Sequence, residues 1–221
     1  MLKNIICATR RIECLAGRSK IIYALGAHYY KPVIRKEAAL AQLTSRDRVL
    51  FVGGGACPFS PILLHQATGA FITIIDLDPD CCQKAEALIH KLGLADRMEV
   101  RCQNILDEGL DLSVYTVIQL ALQVHPLDRV LNRLERQGTA GTRILFRQPK
   151  KSLASLYGGA FQAAKTCGSR QLAPHKGRNI GASILYVKGE TYEDAHRRAV
   201  GGRDGHPLIY PRRSRLGDAA I

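Results

Sequence analysis

The sequence lacks the features that mark several common protein classes. It has no apolar run of transmembrane length, and its first residues, MLKNIICATRRIECLAG, carry charges where a secretory signal needs a long apolar segment. Its seven cysteines are scattered without a C-x-x-C pair, so the spacing supports neither a zinc site nor thioredoxin chemistry. We therefore expect a cytoplasmic protein with reduced thiols, no metal and no membrane partner.

Acidic residues are also few. The chain has 19 of them against 32 lysines and arginines, which gives a formal net charge of +13. The excess is uneven, because residues 143–188 hold nine basic side chains and no acidic one. Such a surface can attract nucleic acid or neutralise a substrate carboxylate, or it can simply keep the protein soluble. A nucleic-acid partner stays open but is not favoured.

The informative stretch lies between residues 48 and 80 and reads RVLFVGGGACPFSPILLHQATGAFITIIDLDPD. Its apolar run Val49–Val52 predicts a strand buried on both faces. Three glycines follow, and because they have no Cβ the backbone can turn sharply and approach a ligand: Gly53, Gly54 and Gly55. Ser60 and Pro61 then predict the start of a helix, with Ser60 as its N-cap.

The same stretch ends in a second apolar run, residues 71–75, and an acid, Asp76. An acid about 20 residues beyond a glycine turn is where Rossmann-type folds bind ribose hydroxyls. No Walker lysine follows the glycines, and Pro58 stands where the dinucleotide fingerprint needs a small residue. A nucleoside without phosphates, S-adenosylmethionine (SAM), fits this pattern best. The alternative is a tight first turn without a ligand.

The remainder of the chain continues the alternation of strands and helices, which predicts a Rossmann-like α/β fold with a mostly parallel seven-stranded sheet and an N-terminal helical cap. We expect the cap over residues 1–45, the SAM-binding domain over 46–189 and a basic C-terminal tail over 190–221. Within the cap, Gly26 should break one helix and Pro32 should open a second. Further strands are predicted at 98–101, 115–120, 143–146 and 181–188, with helices at 81–92, 127–137 and 153–164.

Five segments within residues 47–188 carry a resemblance: VLFVGGGACPFSPILL, IIDLDPD, LADRMEVRCQNILD, VIQLALQVHP and ILFRQPKKSLASLYG. In these segments the sequence resembles class I SAM-binding enzymes, and within them the nicotianamine synthase branch and azetidine-2-carboxylate synthases. The resemblance implies chemistry on the 3-amino-3-carboxypropyl arm of SAM rather than on its methyl group: an amine attacks the carbon next to sulfur, and methylthioadenosine leaves. The short cap, compared with the larger helical domain of nicotianamine synthases, puts a bulky second substrate in doubt. In the version that needs no second substrate, SAM's own amine closes a four-membered ring, and transfer to a small amine stays open.

Two other readings stay open, namely a SAM-dependent methyltransferase that acts on a small molecule or RNA, and a non-catalytic protein of this fold that binds nucleic acid. A homodimer is plausible. In each case the ligand would be held by a shared set of residues: Gly53, Gly54, Gly55, Pro58, Asp76, Leu77, Asn104, Ile105, Gln119, Arg147 and Tyr29. Arg147 is expected in the loop after the fifth strand, where it can bind the carboxylate of SAM.

The expected catalytic residues are Tyr30, Gln123, Tyr157 and Glu37. The tyrosines offer aromatic faces to the positive sulfur, and Glu37 and Gln123 offer acceptors to the attacking amine. Glu37 can equally be an exposed charge on its helix, beside Arg35 and Lys36. His125, which precedes a proline, is read as a helix-start residue rather than a base.

Overall fold

The computed structural model describes residues 20–153, 170–177, 179–191 and 194. Its helices are α1 (Lys20–Leu40), α2 (Phe59–Thr68), α3 (Pro79–Lys91) and α4 (Leu127–Gln137). Its strands are β1 (Arg48–Val52), β2 (Phe71–Asp76), β3 (Met98–Cys102), β4 (Val117–Leu120), β5 (Arg143–Pro149), β6 (Arg170–Pro174) and β7 (Ile180–Val187). Tyr157, almost all of the helix predicted over 153–164 and most of the predicted tail lie outside the described residues.

The seven strands form one sheet in the order β3-β2-β1-β4-β5-β7-β6. The first five strands in chain order are parallel, whereas β7 runs antiparallel to both β5 and β6. The chain crosses from β3 at one edge to β4 beside β1, so the strand order reverses between β1 and β4. Open α/β sheets bind ligands at the carboxyl ends of the strands at such a reversal. The predicted Rossmann-like fold is confirmed.

The sheet is buried on both faces because its strands alternate between two cores. In β1, Val49 and Phe51 point to the core that α1, α2 and α3 cover, whereas Leu50 and Val52 point to the core that α4 covers. All four side chains are buried.

Among the described residues, no helix is long and apolar enough to cross a membrane, and no group of three His, Cys, Asp or Glu could hold a metal ion.

The predicted division of the cap into two helices is wrong, because α1 is continuous from Lys20 to Leu40 and contains both Gly26 and Pro32. Packing explains why a helix tolerates a glycine there. A Cβ on Gly26 would lie 2.6 Å from the ring of Phe59, so only a glycine lets α1 approach the start of α2 this closely. Beyond Pro32 the helix continues, with Val33 and Ile34 buried.

Several element boundaries differ from the sequence-based expectation, most of them by one or two residues. Helix α2 begins at Phe59 with Pro58 as its N-cap and has no side-chain cap, so Ser60 is not the N-cap. Strand β5 continues to Pro149 because β7 pairs with it along its length, with Arg147 opposite Ser183. Arg147 therefore lies in a strand rather than in a loop. Strand β4 begins at Val117 rather than at residue 115.

The glycine turn is sterically fixed at Gly54. A Cβ there would lie 2.3 Å from Cγ2 of Ile74, which no real Cβ contact allows. We expect Gly54→Ala to lower the free energy of unfolding by about 1–3 kcal/mol, the usual cost of overpacking a core. Gly109→Ala is the matched control, since a Cβ at Gly109 meets nothing within 4 Å. Urea unfolding of both variants tests this, and equal midpoints would contradict it.

Candidate functional site

A cavity of about 340 Å³ opens at the carboxyl ends of the parallel strands, where the sheet order reverses. Most of the ligand and catalytic residues predicted from the sequence line it: Tyr29, Tyr30, Gly53, Gly54, Gly55, Asp76, Leu77, Asn104, Ile105, Gln123 and Arg147. Pro58, Gln119 and Glu37 do not line it. Other residues that line the cavity were not predicted from the sequence, among them Phe51, Ser60, Asn179 and His125.

The glycine turn and Asp76 form one hydrogen-bonded unit. The Gly53 amide donates to the Ile75 carbonyl at 2.8 Å, and the Gly55 amide donates to Oδ2 of Asp76 at 2.8 Å. Oδ1 of the same carboxylate accepts from the Asp78 amide at 3.1 Å. Gly53 and Gly55 have φ values of 84° and 67°, which other residues rarely adopt. Each Asp76 oxygen has further lone pairs, so the carboxylate can hold the turn and still accept from a ligand hydroxyl.

Asp76 gives the first test of the site. We expect Asp76→Asn to weaken SAM binding about 10- to 100-fold, because a hydrogen bond to a charged acceptor is worth about 1.5–3 kcal/mol. Isothermal titration calorimetry measures the loss. Asp78→Asn is the matched control, since Asp78 is the N-cap of α3 and its side chain accepts from the amides of Asp80 and Cys81. Equal SAM affinities for wild type and Asp76→Asn would contradict a role for Asp76 in ribose binding.

Just beyond the carboxyl end of β3, Asn104 is held by its own loop. The backbone N–H of Asn104 donates to Oδ2 of Asp107 at 3.1 Å, and its side-chain Oδ1 accepts from the backbone N–H of Leu106 at 2.9 Å. The side-chain NH2 group of Asn104 is therefore the part that can face a ligand, as a donor. Leu77, with 65% of its surface exposed, and buried Ile105 line the same end of the cavity. A donor beside apolar side chains suits a flat heteroaromatic ring.

Behind the opposite wall lies a buried ion pair between α1 and β5. Arg147 donates from Nε to Oε1 of Glu37 and from Nη2 to Oε2, both at 2.8 Å. Gln119 and Ser183 each donate to the same carboxylate at 2.5 Å. Glu37 is fully buried, so its alternative reading as an exposed helix charge is wrong. Burial alone would raise the pKa of Glu37, but the charge and hydrogen bonds of Arg147, with the Ser183 hydrogen bond, hold that pKa below its ordinary value.

Arg147 connects this pair to the cavity. Its Nη1 donates to the Ser60 hydroxyl at 3.1 Å, and its guanidinium lies 5.8 Å from the ring centre of Tyr30 and 6.0 Å from that of Phe51. A guanidinium has five N–H groups, and three are used. One N–H on Nη1 and one on Nη2 are left, and both can donate to a ligand carboxylate. Burial by itself would lower the pKa of Arg147, but the charge and hydrogen bonds of Glu37 have the larger effect, so that the pKa of Arg147 is raised.

An aromatic wall stands beside the guanidinium. The rings of Tyr29 and Tyr30 meet edge to face with centres 5.0 Å apart, and Tyr30 stacks on Phe59 at 6.0 Å. The Tyr29 hydroxyl accepts from the Asn179 amide at 3.3 Å. This contact joins α1 to the residue before β7, and both residues line the cavity. The site therefore combines an acid bonded to the glycine turn, a positioned cation and an aromatic face.

Comparisons with known proteins identify the family of this chain. The family model described as "Nicotianamine synthase protein" matches residues 28–167. A curated relative, L-histidine 2-aminobutanoyltransferase of Pseudomonas aeruginosa, is 36% identical over 66 residues, which are 30% of this chain and 25% of the relative. The enzyme of that name in Yersinia pestis is 33% identical over the same length. The match therefore spans only a quarter of these curated relatives.

Solved structures show the same fold. A glutamate-to-glutamine mutant of MtNAS superposes with a TM-score of 0.70 at 24% identity, over 84% of this chain and 73% of that chain. MtNAS in complex with MTA and tNA gives a TM-score of 0.67 at 25% identity, over 81% of this chain and 69% of that one. An RNA methyltransferase from Salinibacter ruber gives 0.54 at 21% identity, over 74% of this chain and 95% of that one. Since the family model covers well over half of the sequence, the chain belongs to the nicotianamine synthase family.

Proposed function

We propose that the protein is an enzyme that binds SAM and acts on its 3-amino-3-carboxypropyl arm, releasing methylthioadenosine. Membership of the nicotianamine synthase family supports this class of reaction. The curated relatives are aminobutanoyltransferases by name, and one solved neighbour of this fold is a complex with SAM. The reaction leaves the methyl group on sulfur, which separates it from methyl transfer.

The observation that carries the proposal is the cation at the cavity wall. Arg147 is held by Glu37 and Ser60 and keeps one N–H on each of Nη1 and Nη2. The carboxylate of SAM's methionine part matches these two donors, and the ribose matches Asp76, which is hydrogen-bonded to the glycine turn. SAM would then be held on both sides of its sulfonium, which would lie beside the aromatic wall of Tyr29 and Tyr30.

The bond changes follow from that alignment. The lone pair of an unprotonated amine attacks the methylene carbon next to sulfur, the C–S bond breaks, and its electrons return to sulfur. Neutral methylthioadenosine leaves, and the new ammonium loses a proton to solvent. The sulfonium is already a good leaving group, so the site supplies alignment and exclusion of water rather than a strong acid.

We further propose that SAM's own amine is the nucleophile, which closes the four-membered ring of azetidine-2-carboxylate. A cavity of about 340 Å³ is near the lower end of the range for small-molecule sites, about 300–1,000 Å³. That size suits one SAM molecule better than SAM and a second amine. Transfer to a small external amine is the alternative within the same chemistry.

The test is to incubate purified protein with SAM alone and with SAM plus L-histidine, and to identify the products by mass spectrometry. Methylthioadenosine with azetidine-2-carboxylate in the first mixture supports ring closure. Methylthioadenosine only in the second mixture supports transfer and overturns ring closure. S-adenosylhomocysteine, or intact SAM with salt-sensitive RNA binding, overturns the proposed function.

A further inference from the structure

The buried pair extends away from the cavity through two more side chains. Ser183 lies on β7 opposite Arg147, and its hydroxyl donates to Oε1 of Glu37 at 2.5 Å. His175, directly after β6, brings Nε2 to 2.9 Å from the Ser183 Oγ. His175 is 9% exposed, whereas Ser183 and Glu37 are fully buried. The chain of contacts thus runs from Glu37 towards the protein surface.

The direction of these hydrogen bonds is fixed by counting protons. A serine hydroxyl has one proton, and Ser183 gives it to Glu37. The Ser183 oxygen can then only accept from His175, so Nε2 of His175 carries a proton and donates it. His175 therefore orients Ser183, and Ser183 occupies a lone pair of the carboxylate that holds Arg147. A buried ion pair is stable only when the remaining lone pairs of its carboxylate also accept hydrogen bonds, as the Glu37 carboxylate does from Ser183.

Charged groups from two elements face His175. Burial lowers its pKa most; Glu37 of α1 raises it, and Lys36 of α1 and Arg147 of β5 lower it further. The net shift is downward, so the imidazole is neutral at pH 7.5. Protonation at lower pH would place a second cation beside Glu37, in competition with Arg147.

We propose that His175 is a positioning residue for the ligand carboxylate. The neutral imidazole orients Ser183, and Ser183 in turn holds Glu37 in place. Glu37 then fixes Arg147 so that its two remaining N–H groups face the cavity. This inference rests on the proposed function, because SAM supplies the carboxylate. Methylthioadenosine has the same adenosine part and no carboxylate. It also lacks the amine and the positive charge on sulfur, but substitutions at His175 and Ser183 leave Tyr29 and Tyr30 in place. A change in the ratio of the two affinities between variants therefore reports on the contact of Arg147 with the carboxylate.

The test compares SAM and methylthioadenosine binding by calorimetry in wild type, His175→Leu, His175→Gln and Ser183→Ala. At pH 7.5 we expect SAM affinity to fall about tenfold in His175→Leu and Ser183→Ala, which each lose one hydrogen bond of the chain. His175→Gln keeps an N–H donor and should stay near wild type. Methylthioadenosine affinity should change little in all of them, and thermal melts verify that each variant is folded.

The pH dependence separates positioning from simple packing. In wild type the preference for SAM over methylthioadenosine should fall as the pH drops below 6.5, the ordinary pKa of histidine. In His175→Gln it should stay constant over that range, because glutamine does not titrate. An unchanged preference in folded His175→Leu and Ser183→Ala, or the wild-type pH profile in His175→Gln, would overturn the inference alone. Wild type that binds neither ligand would overturn the proposed function as well.

Discussion

Glu37→Gln is expected to lower the free energy of unfolding by about 3–5 kcal/mol, the usual cost of removing one partner from a buried ion pair. Arg147 would be left buried without a counter-charge, and the new amide NH2 would face groups that already donate: Gln119, Ser183 and Arg147 itself. Urea unfolding at pH 7.5 measures the loss. A change below about 1 kcal/mol would mean that the pair contributes no more than an exposed one.

A double variant provides the control for this prediction. Glu37→Leu with Arg147→Met removes both charges, and we expect it to be more stable than Glu37→Leu alone, since no unpaired charge stays buried.

The stability that the Glu37–Arg147 pair contributes should depend on pH in a definite direction. Because the pKa of Glu37 is lowered in the folded protein, the pair stabilises the fold above the ordinary glutamate pKa of 4.5, and this is lost as the pH falls below it. Glu37→Gln should lack that acid-dependent loss.

Arg147→Met is expected to weaken SAM binding by at least about 100-fold, because two hydrogen bonds to a carboxylate are lost, each worth about 1.5–3 kcal/mol. Methylthioadenosine, which lacks the carboxylate, should bind as it does to wild type. Calorimetry with both ligands measures the difference.

The matched control for Arg147 is Arg143→Met on the same strand. Arg143 lies at the other end of β5, where it pairs with Asp47 and donates to the Ala41 carbonyl at 2.7 Å. Its loss should destabilise the fold without changing the preference for SAM over methylthioadenosine. If Arg147→Met lowered the affinities for SAM and for methylthioadenosine by the same factor, this result would contradict a contact between Arg147 and the SAM carboxylate.

The parts of the site that lie close together in sequence could be predicted. The glycine turn and Asp76 are joined by a direct hydrogen bond, and the run between them is a single strand-helix-strand unit. Apolar runs predicted β1 and β2 because both strands are buried on both faces. The position of strand β6 was not predicted, because its sequence RQLAP lacks an alternation of large apolar residues and ends in a proline.

The buried network depends on contacts between distant segments, and it was therefore only partly predictable. Arg147 and Glu37 were assigned to the site separately, but their pairing across 110 residues was not predicted. One local signal was present. Glu37 lies at helical spacing within a buried stripe of α1, formed by Val33, Ile34, Leu40 and Ala41. An acid inside an apolar stripe needs a buried partner. Ser183 and His175 carry no comparable signal, because their positions depend on the pairing of β5, β6 and β7.

The measurement that tests the central claim most directly is the fate of a labelled methyl group. Purified protein is incubated with SAM that carries an isotopic label on its methyl carbon, and the products are separated and weighed by mass spectrometry. We expect the whole label in methylthioadenosine, formed in equal amount to the amino-acid product, and no turnover in Arg147→Met. Label on any acceptor, with S-adenosylhomocysteine left behind, would contradict chemistry on the aminobutyrate arm.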